Sequence, residues 1–390
     1  MAGSRPMRRL GALLAVLLCS GGCESTNVAP ATHAGMNLDA DEQRLWARVA
    51  EERDTLDRSG FVAPWPEVEA YLDRVLAGLH PGPLPAGGQF KVHVLVDPTL
   101  NAFSLPDGTI YLHTGMLARL DNEAQLAAVI SHELTHATHR HGLKSYRNIK
   151  NESAFLVTLT VGTGGIGGVL GLIGVNASIS GYSQDLEREA DAEGFKLLVG
   201  AGYDPHEAPQ VFRKLLEESK RSKLKQPFFF GSHPRLEERI ASYDALIARL
   251  PAGRPPGRLG VAELEAILPP MLVANAEAAL RAGDFDIARA CAERALKLHA
   301  DDPQAGFQLA EVFRKRGEKG DLDAALTRYR SLAAAHPDFA DAQRGLGLTL
   351  LKSGDKPAAA AAFARYLALR PQANDRAYIE SFLQQCQNKT

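Results

Sequence analysis

The residues with the clearest chemical potential are His132, Glu133 and His136, in the stretch Ser131 to His136. Two histidines four residues apart on a helix project from one face a turn apart, so both imidazoles can reach a single metal ion. Glu133 stands beside them, where its carboxylate can take a proton from a water activated by that metal. This is the general-base role in metal-assisted peptide hydrolysis. The competing reading is a pair of solvated histidines on a His-rich surface helix, because His139 and His141 follow closely. Those two read as a polar helix end, where partial negative charge favours His, in preference to further ligands.

A catalytic zinc site needs a third protein ligand. The segment Tyr182 to Gly194 offers Glu187 and Asp191, four apart and so on one helical face. Glu187 can ligate the metal while Asp191 accepts a hydrogen bond from a ligand histidine and fixes its tautomer. Taken alone, such spacing also describes an ordinary charged helix face. Following a His-Glu-x-x-His helix, the functional reading takes precedence.

The elements that must position these groups can be read around them. The motif helix is expected from near Asp121, with Glu123 in its first turn, Leu126, Val129 and Ile130 as its apolar face, and an end near Gly142. Upstream, Leu45, Trp46, Val49 and Leu56 recur with helical spacing behind the N-cap candidates Asp39 and Asp41. Val68, Tyr71, Leu72, Val75, Leu76 and Leu79 mark a second helix. Residues 90–96 alternate and are β-branched, residues 101–106 suit an edge strand because they end in proline, and Asp107-Gly108 turns the chain into a strand at 109–113. A small antiparallel sheet before the motif helix is expected.

The N-terminus has a basic flank (Arg5, Arg8, Arg9), an apolar run to Leu18 and small residues before Cys23, the layout of a secretory signal over residues 1–22. Cys23 resembles a lipoprotein acylation site, although Cys19 and Ser20 stand where an aliphatic residue is usual; simple cleavage nearby is the alternative. Residues 23–37 read as a tether. Removing the signal leaves 41 basic against 46 acidic residues, a net charge of about −5. The near balance leaves no electrostatic footprint for nucleic acid. Beyond Cys19 and Cys23 only Cys291 and Cys386 remain, and these read as buried thiols. Residues 153–184 carry no Asp, Glu, Lys or Arg. Their length would permit a membrane span, but eight glycines favour a buried or membrane-facing lid over the site.

The last third repeats. Pro303, Pro337 and Pro371 recur at an interval of 34 residues, the tetratricopeptide period, with Gly283-Asp284, Gly320-Asp321 and Gly354-Asp355 at the helix turns. The second unit carries a small insertion near Arg316 to Gly320. Residues 251–260 are rich in Pro and Gly, so residues 251–268 read as a linker and 269–390 as three repeats with a capping helix from Asp375 to Gln387.

In Asn101-Ala102-Phe103 with the Asp107-Gly108 turn, His132-Glu133-x-x-His136, Glu187-x-x-x-Asp191 and Gly231-Ser232-His233-Pro234, the chain resembles the zinc endopeptidases typified by the CAAX prenyl protease and HtpX. The nearer resemblance is to their periplasmic, repeat-bearing, BepA-like branch. It covers roughly residues 38–248. The resemblance implies an α+β, zincin-like peptidase domain over residues 38–250, mostly helical with a small antiparallel sheet, followed by the all-α repeat solenoid. It implies one Zn²⁺ per chain held by His132, His136 and Glu187, Glu133 as the base, and Asp191 behind the ligands. It implies further that Asn101, Ala102, Phe103 and Ser104 form the edge to which an extended peptide adds as a strand. His233 would be a loop histidine able to occupy the fourth metal position and latch the site. The expected activity is hydrolysis of misfolded or stalled envelope and outer-membrane proteins in the periplasm. The repeats would recruit the substrate or an outer-membrane assembly machinery through their groove, and Cys23 lipidation or residues 153–184 would provide any membrane association. The alternatives are a chaperone or scaffold with a latched metal site and an integral-membrane protease.

Overall fold

The computed structural model describes residues 28–31, 33, 35–151, 182–221 and 236–387. Cys23, most of 153–184 and the whole Gly231 to Pro234 block lie outside them. Helix α1 (Ala40–Arg58) and α2 (Pro66–Gly78) precede strands β1 (Lys91–Leu95), β2 (Ala102–Ser104) and β3 (Thr109–His113). A short helix α3 (Thr114–Leu117) leads to α4 (Glu123–Thr138), which carries the motif, and α5 (His141–Asn151) follows. Next come α6 (Gln184–Gly200), α7 (Glu207–Arg221) and α8 (Leu236–Ala248).

The sheet is mixed, in the order β1-β3-β2, and this corrects the expectation of a purely antiparallel sheet. The β2–β3 hairpin is antiparallel, turning at Gly108 with φ 92°, but β1 pairs with β3 in parallel, Lys91 opposite Thr109 and Leu95 opposite His113. A hairpin is a local feature that turn residues announce. The β1–β3 pairing is a crossover in which β3 enters between its two predecessors. Residues 61–63 cover the other side of β1, through Ala63 N–H to Val94 O (2.9 Å) and Val96 N–H to Phe61 O (2.9 Å). Among the described residues β2 is therefore the sheet's remaining edge, and Pro106, which has no N–H to offer a neighbour, follows it.

Helix α4 is buried along its whole length, between β2 and α2 on one side and α6 and α7 on the other. Such a helix is a core element with no solvent face. Its N-cap is Asn122, one residue beyond the expected Asp121: the Asn122 side chain accepts from Gln125 N–H at 2.9 Å. Its end also differs from the expected Gly142. Arg140 adopts φ 55°, the chain turns, and α5 starts afresh at His141. Part of the stretch read as a tether is docked: Val28 is buried, and Ala31 N–H donates to Thr138 O at 3.0 Å.

The helix that opens the repeat region starts within the residues expected as a linker. Helix α9 (Val261–Ala282) starts inside residues 251–268 and runs through Pro269 and Pro270. Its Leu264, Leu268, Met271 and Leu272 are fully buried in the same core as Leu72, Leu126, Ile130 and Phe195. With α10 (Phe285–Leu298) it forms the first helix pair. Next follow α11 (Pro303–Arg316) with α12 (Asp321–Ala335), α13 (Ala340–Ser353) with α14 (Lys356–Leu369), and the terminal α15 (Arg376–Gln387). Gly283 and Gly354 end their helices at φ 80° and 88°, and Asp284 and Asp355 cap the next ones, as the Gly-Asp turns predict. Cys291 is buried and Cys386 half-buried, both free. No helix among the described residues is long and apolar enough to cross a membrane.

Candidate active site

Helices α4 and α6 cross closely enough to bring three donors together. The buried side chains of His132, His136 and Glu187 offer ligand atoms all within 4.8 Å of one another. His132 Nε2 and His136 Nε2 are 3.0 Å apart, and each lies 3.5 Å from an oxygen of Glu187. The close approach depends on Gly194 of α6, where a Cβ would stand 3.0 Å from the carbonyl carbon and oxygen of Ser131.

The outer nitrogens of both rings are fixed from behind. His132 Nδ1 lies 3.0 Å from Asp191 Oδ1, so it donates there and leaves Nε2 as a lone pair. Arg239 Nη2 also approaches this ring, 2.9 Å from Nδ1 and 3.3 Å from Nε2, while Arg239 grips Asp191 through Nε (3.0 Å) and Nη2 (2.5 Å). Tyr243 adds a third hydrogen bond to Asp191 at 2.9 Å. Burial alone would raise the Asp191 pKa. The Arg239 charge and the His132 contact overcome it and hold the carboxyl well below its ordinary range. On the second ring, His136 Nδ1 lies 2.9 Å from His141 Nδ1, whose own Nε2 faces Glu189 Oε2 at 3.2 Å. Burial, reinforced by Lys144, pushes the His141 pKa down to about 3, so this ring is neutral. With its Nε2 proton on Glu189, His141 accepts from His136 Nδ1, and His136 Nε2 faces His132 Nε2 and Glu187 Oε1. Two ring nitrogens and a carboxylate then converge, with the Arg239 guanidinium 3.5 Å from Glu187 Oε2, a donor set suited to a metal cation.

The donor set fits zinc. Bonds of about 2.0–2.1 Å in a tetrahedron place neighbouring donors about 3.3 Å apart; the two histidine nitrogens lie 3.0 Å apart, and Glu187 turns one oxygen to each of them, Oε2 to His132 and Oε1 to His136, both at 3.5 Å.

Glu133, also buried, accepts a hydrogen bond from Ser104 Oγ at 3.1 Å, which ties the carboxylate to the last residue of β2. Tyr182 stacks on His136 with ring centroids 3.9 Å apart. Its hydroxyl is buried near the charges of Glu133 and Glu187, which raises its pKa and keeps it protonated.

Of the residues singled out in the sequence, His132, Glu133, His136, Glu187, Asp191 and Ser104 meet here. Ala102 and Phe103 lie on β2 but are buried, Phe103 stacking on Tyr111. Asn101 precedes the strand; its carbonyl accepts from His113 N–H at 3.1 Å, and its buried side-chain oxygen has no hydrogen-bond partner among the described residues. His233 lies outside the described residues. Sequence reasoning missed Arg239, Tyr243, Tyr182 and the orienting role of His141. The spacing of Arg239 and Tyr243, four apart on one helix, was the available signal for that pair.

Residues 66–247 match peptidase family M48, and residues 273–320 and 317–374 match the tetratricopeptide repeat. The beta-barrel assembly-enhancing protease of Escherichia coli (strain K12) is 28% identical over 162 residues, which is 39% of this chain and 33% of that protein. The mitochondrial metalloendopeptidase OMA1 of Arabidopsis thaliana is 35% identical over 129 residues, 33% of this chain and 26% of its own. OMA1 of Schizosaccharomyces pombe is 29% identical over 187 residues, 44% of this chain and 54% of its own. The matched stretches thus span about a quarter to a half of these curated relatives. Family match, donor set and helix pairs agree, and the chain joins a peptidase family M48 domain to tetratricopeptide repeats.

Proposed function

We propose that this chain is a zinc-dependent endopeptidase of the bacterial envelope. It cuts misfolded or stalled envelope and outer-membrane proteins that its repeats recruit, alone or with an assembly partner. The observation that carries the reading is the convergence of His132 Nε2, His136 Nε2 and Glu187 beside a carboxylate, Glu133, that a sheet-edge residue holds in place. The kinship with a beta-barrel assembly-enhancing protease supports the choice of compartment and substrate class.

His132, His136 and Glu187 would hold one zinc ion, which when bound supplies Lewis acidity to the scissile carbonyl and acidifies a water. An extended peptide adds to β2, where main-chain hydrogen bonds hold it in register whatever its sequence. Ser104 donates to Glu133 Oε2 and so aims the carboxylate. Glu133 takes the attacking water's proton and delivers it to the departing amide nitrogen. Asp191, clamped by Arg239 and Tyr243, keeps the proton of His132 on Nδ1, and His141 does the corresponding work for His136.

Glu133→Gln preserves the shape and the three donors while removing the base. Zinc content should stay at one per chain while cleavage of an unfolded protein falls by about 10²–10⁴-fold. Equal cleavage by the variant, or none by the zinc-loaded wild type, would refute the reading.

A further inference from the structure

Beside the three donors lies a second, smaller feature. A narrow slot opens along the end of β2, with Ser104, Leu105 and Pro106 as one wall and Gly142 and Leu143 of α5 as the other. His136 and Tyr182 are among the residues that line it, so the slot adjoins a proposed metal ligand. Its free volume is about 10 Å³, room for about one water molecule or a group of that size. The walls nearly touch: a Cβ built on Gly142 would stand 3.1 Å from Pro106 Cγ. Glu42 and Arg140, joined by Arg140 Nε to Glu42 Oε1 at 2.9 Å, also line it. Because they are paired with each other, these two charges are compensated within the lining.

We propose that this slot receives the substrate side chain next to the scissile bond and restricts it to glycine, alanine or serine. The proposal rests on the peptidase reading above. A peptide laid along β2 with its carbonyl near His136 points alternate side chains to opposite faces of the sheet, and one turned to the face that carries α4 meets, beyond Ser104, a space that holds a methyl or hydroxymethyl group. A larger one would have to displace Leu143, which is 1% exposed and packed, or part β2 from α5. Specificity would then arise from exclusion by packed walls at that one position.

Two opposite variants test this. Leu143→Ala widens the slot, and Gly142→Ala adds a methyl that bridges it toward Pro106. Gly142 lies in the first turn of α5 without a positive φ, so alanine suits the backbone there. Zinc-loaded wild type and both variants are incubated with a randomised peptide library, and the cut sites are sequenced by mass spectrometry alongside zinc content. Wild type should enrich Gly, Ala and Ser at one position flanking the cut. At that position Leu143→Ala should raise acceptance of Val, Leu or Met relative to Ala, and Gly142→Ala should depress Ala relative to Gly. Each change should be about 10–200-fold, the discrimination that about one methylene gives in an apolar pocket. If Leu143→Ala fails to fold, Gly142→Ala carries the test alone. A wild-type profile from a zinc-bound variant, or a wild type that accepts large residues equally at both flanking positions, overturns the subsite and leaves the peptidase reading standing. A zinc-loaded wild type that cuts nothing overturns the peptidase reading and the subsite with it.

Discussion

Replacing Gly194 by alanine tests whether the crossing of α4 and α6 sets the metal site. The added Cβ would meet Ser131 C and O at 3.0 Å and His132 N at 3.1 Å, all backbone atoms that cannot swing aside. Ordinary contact begins near 3.4 Å, so the helices must part by a few tenths of an ångström. Overpacking of this kind costs about 1–3 kcal/mol, and the better helix propensity of alanine returns about 1 kcal/mol. Stability without metal should therefore fall by about 0–2 kcal/mol. The larger consequence is for zinc. Glu187 rides on α6 and the two histidines on α4, and metal–ligand distances tolerate shifts of only about 0.2 Å. A parting of the helices should lower zinc affinity by about 10–100-fold, comparable to losing an orienting partner. Competition with a chromophoric chelator measures it. Gly200→Ala provides the control, since nothing lies within 4 Å of a Cβ there and zinc affinity should not change. If Gly194→Ala gains about 1 kcal/mol and binds zinc as wild type does, the packing argument is wrong.

Arg239→Met should strip Asp191 of its guanidinium inside the core, destabilise the domain by about 3–5 kcal/mol, and weaken zinc binding. Calorimetry with and without zinc separates the two effects, and an unchanged melting temperature would count against the clamp. Asp97 should shape the acid limb of stability. Burial would raise its pKa, but His113 and Thr99 hold it down to about 2, below the 3.8 of an unfolded chain. A carboxyl depressed on folding stabilises above the unfolded value, and the contribution is lost as pH falls from about 4 through about 2. Wild type should exceed Asp97→Asn by about 2 kcal/mol at neutral pH, with the gap closing toward pH 2; a pH-independent gap would show that the carboxylate's charge is not the source.

The site was legible wherever its geometry is internal to a helix. His132, Glu133 and His136 share a turn of α4, Glu187 and Asp191 share a face of α6, and helical spacing alone places each set. Arg239 reaches Asp191 from another helix 48 residues away; only the packing of α8 on α6 makes that contact, and no periodicity encodes it. His141 was misread for a similar reason. A polar helix end accounts for its composition, whereas the left-handed Arg140 ends the helix early and turns the ring back onto His136. The β2–β3 hairpin was readable from Asp107-Gly108, while the parallel partner of β3 depends on a crossover the local sequence does not mark. The repeats were legible because their turns recur, whereas the start of α9 is not marked by them: the Pro- and Gly-rich residues 251–260 end just before it, and the helix runs on through Pro269 and Pro270.

The join between α9 and the peptidase core has a mechanical meaning. Glu123 N–H and Ala124 N–H, at the head of α4, donate to the carbonyls of Gly260 and Leu259 just before α9, at 3.1 and 2.9 Å. Asn275 of α9 accepts from Thr114 at 2.9 Å, and Arg294 of α10 holds the carbonyls of Ala118 and Leu120. A hinge would let the repeats swing freely. These bonds instead fix the first repeat helices to the head of α4, so the repeats cannot turn about this join without loading the helix that carries His132, Glu133 and His136.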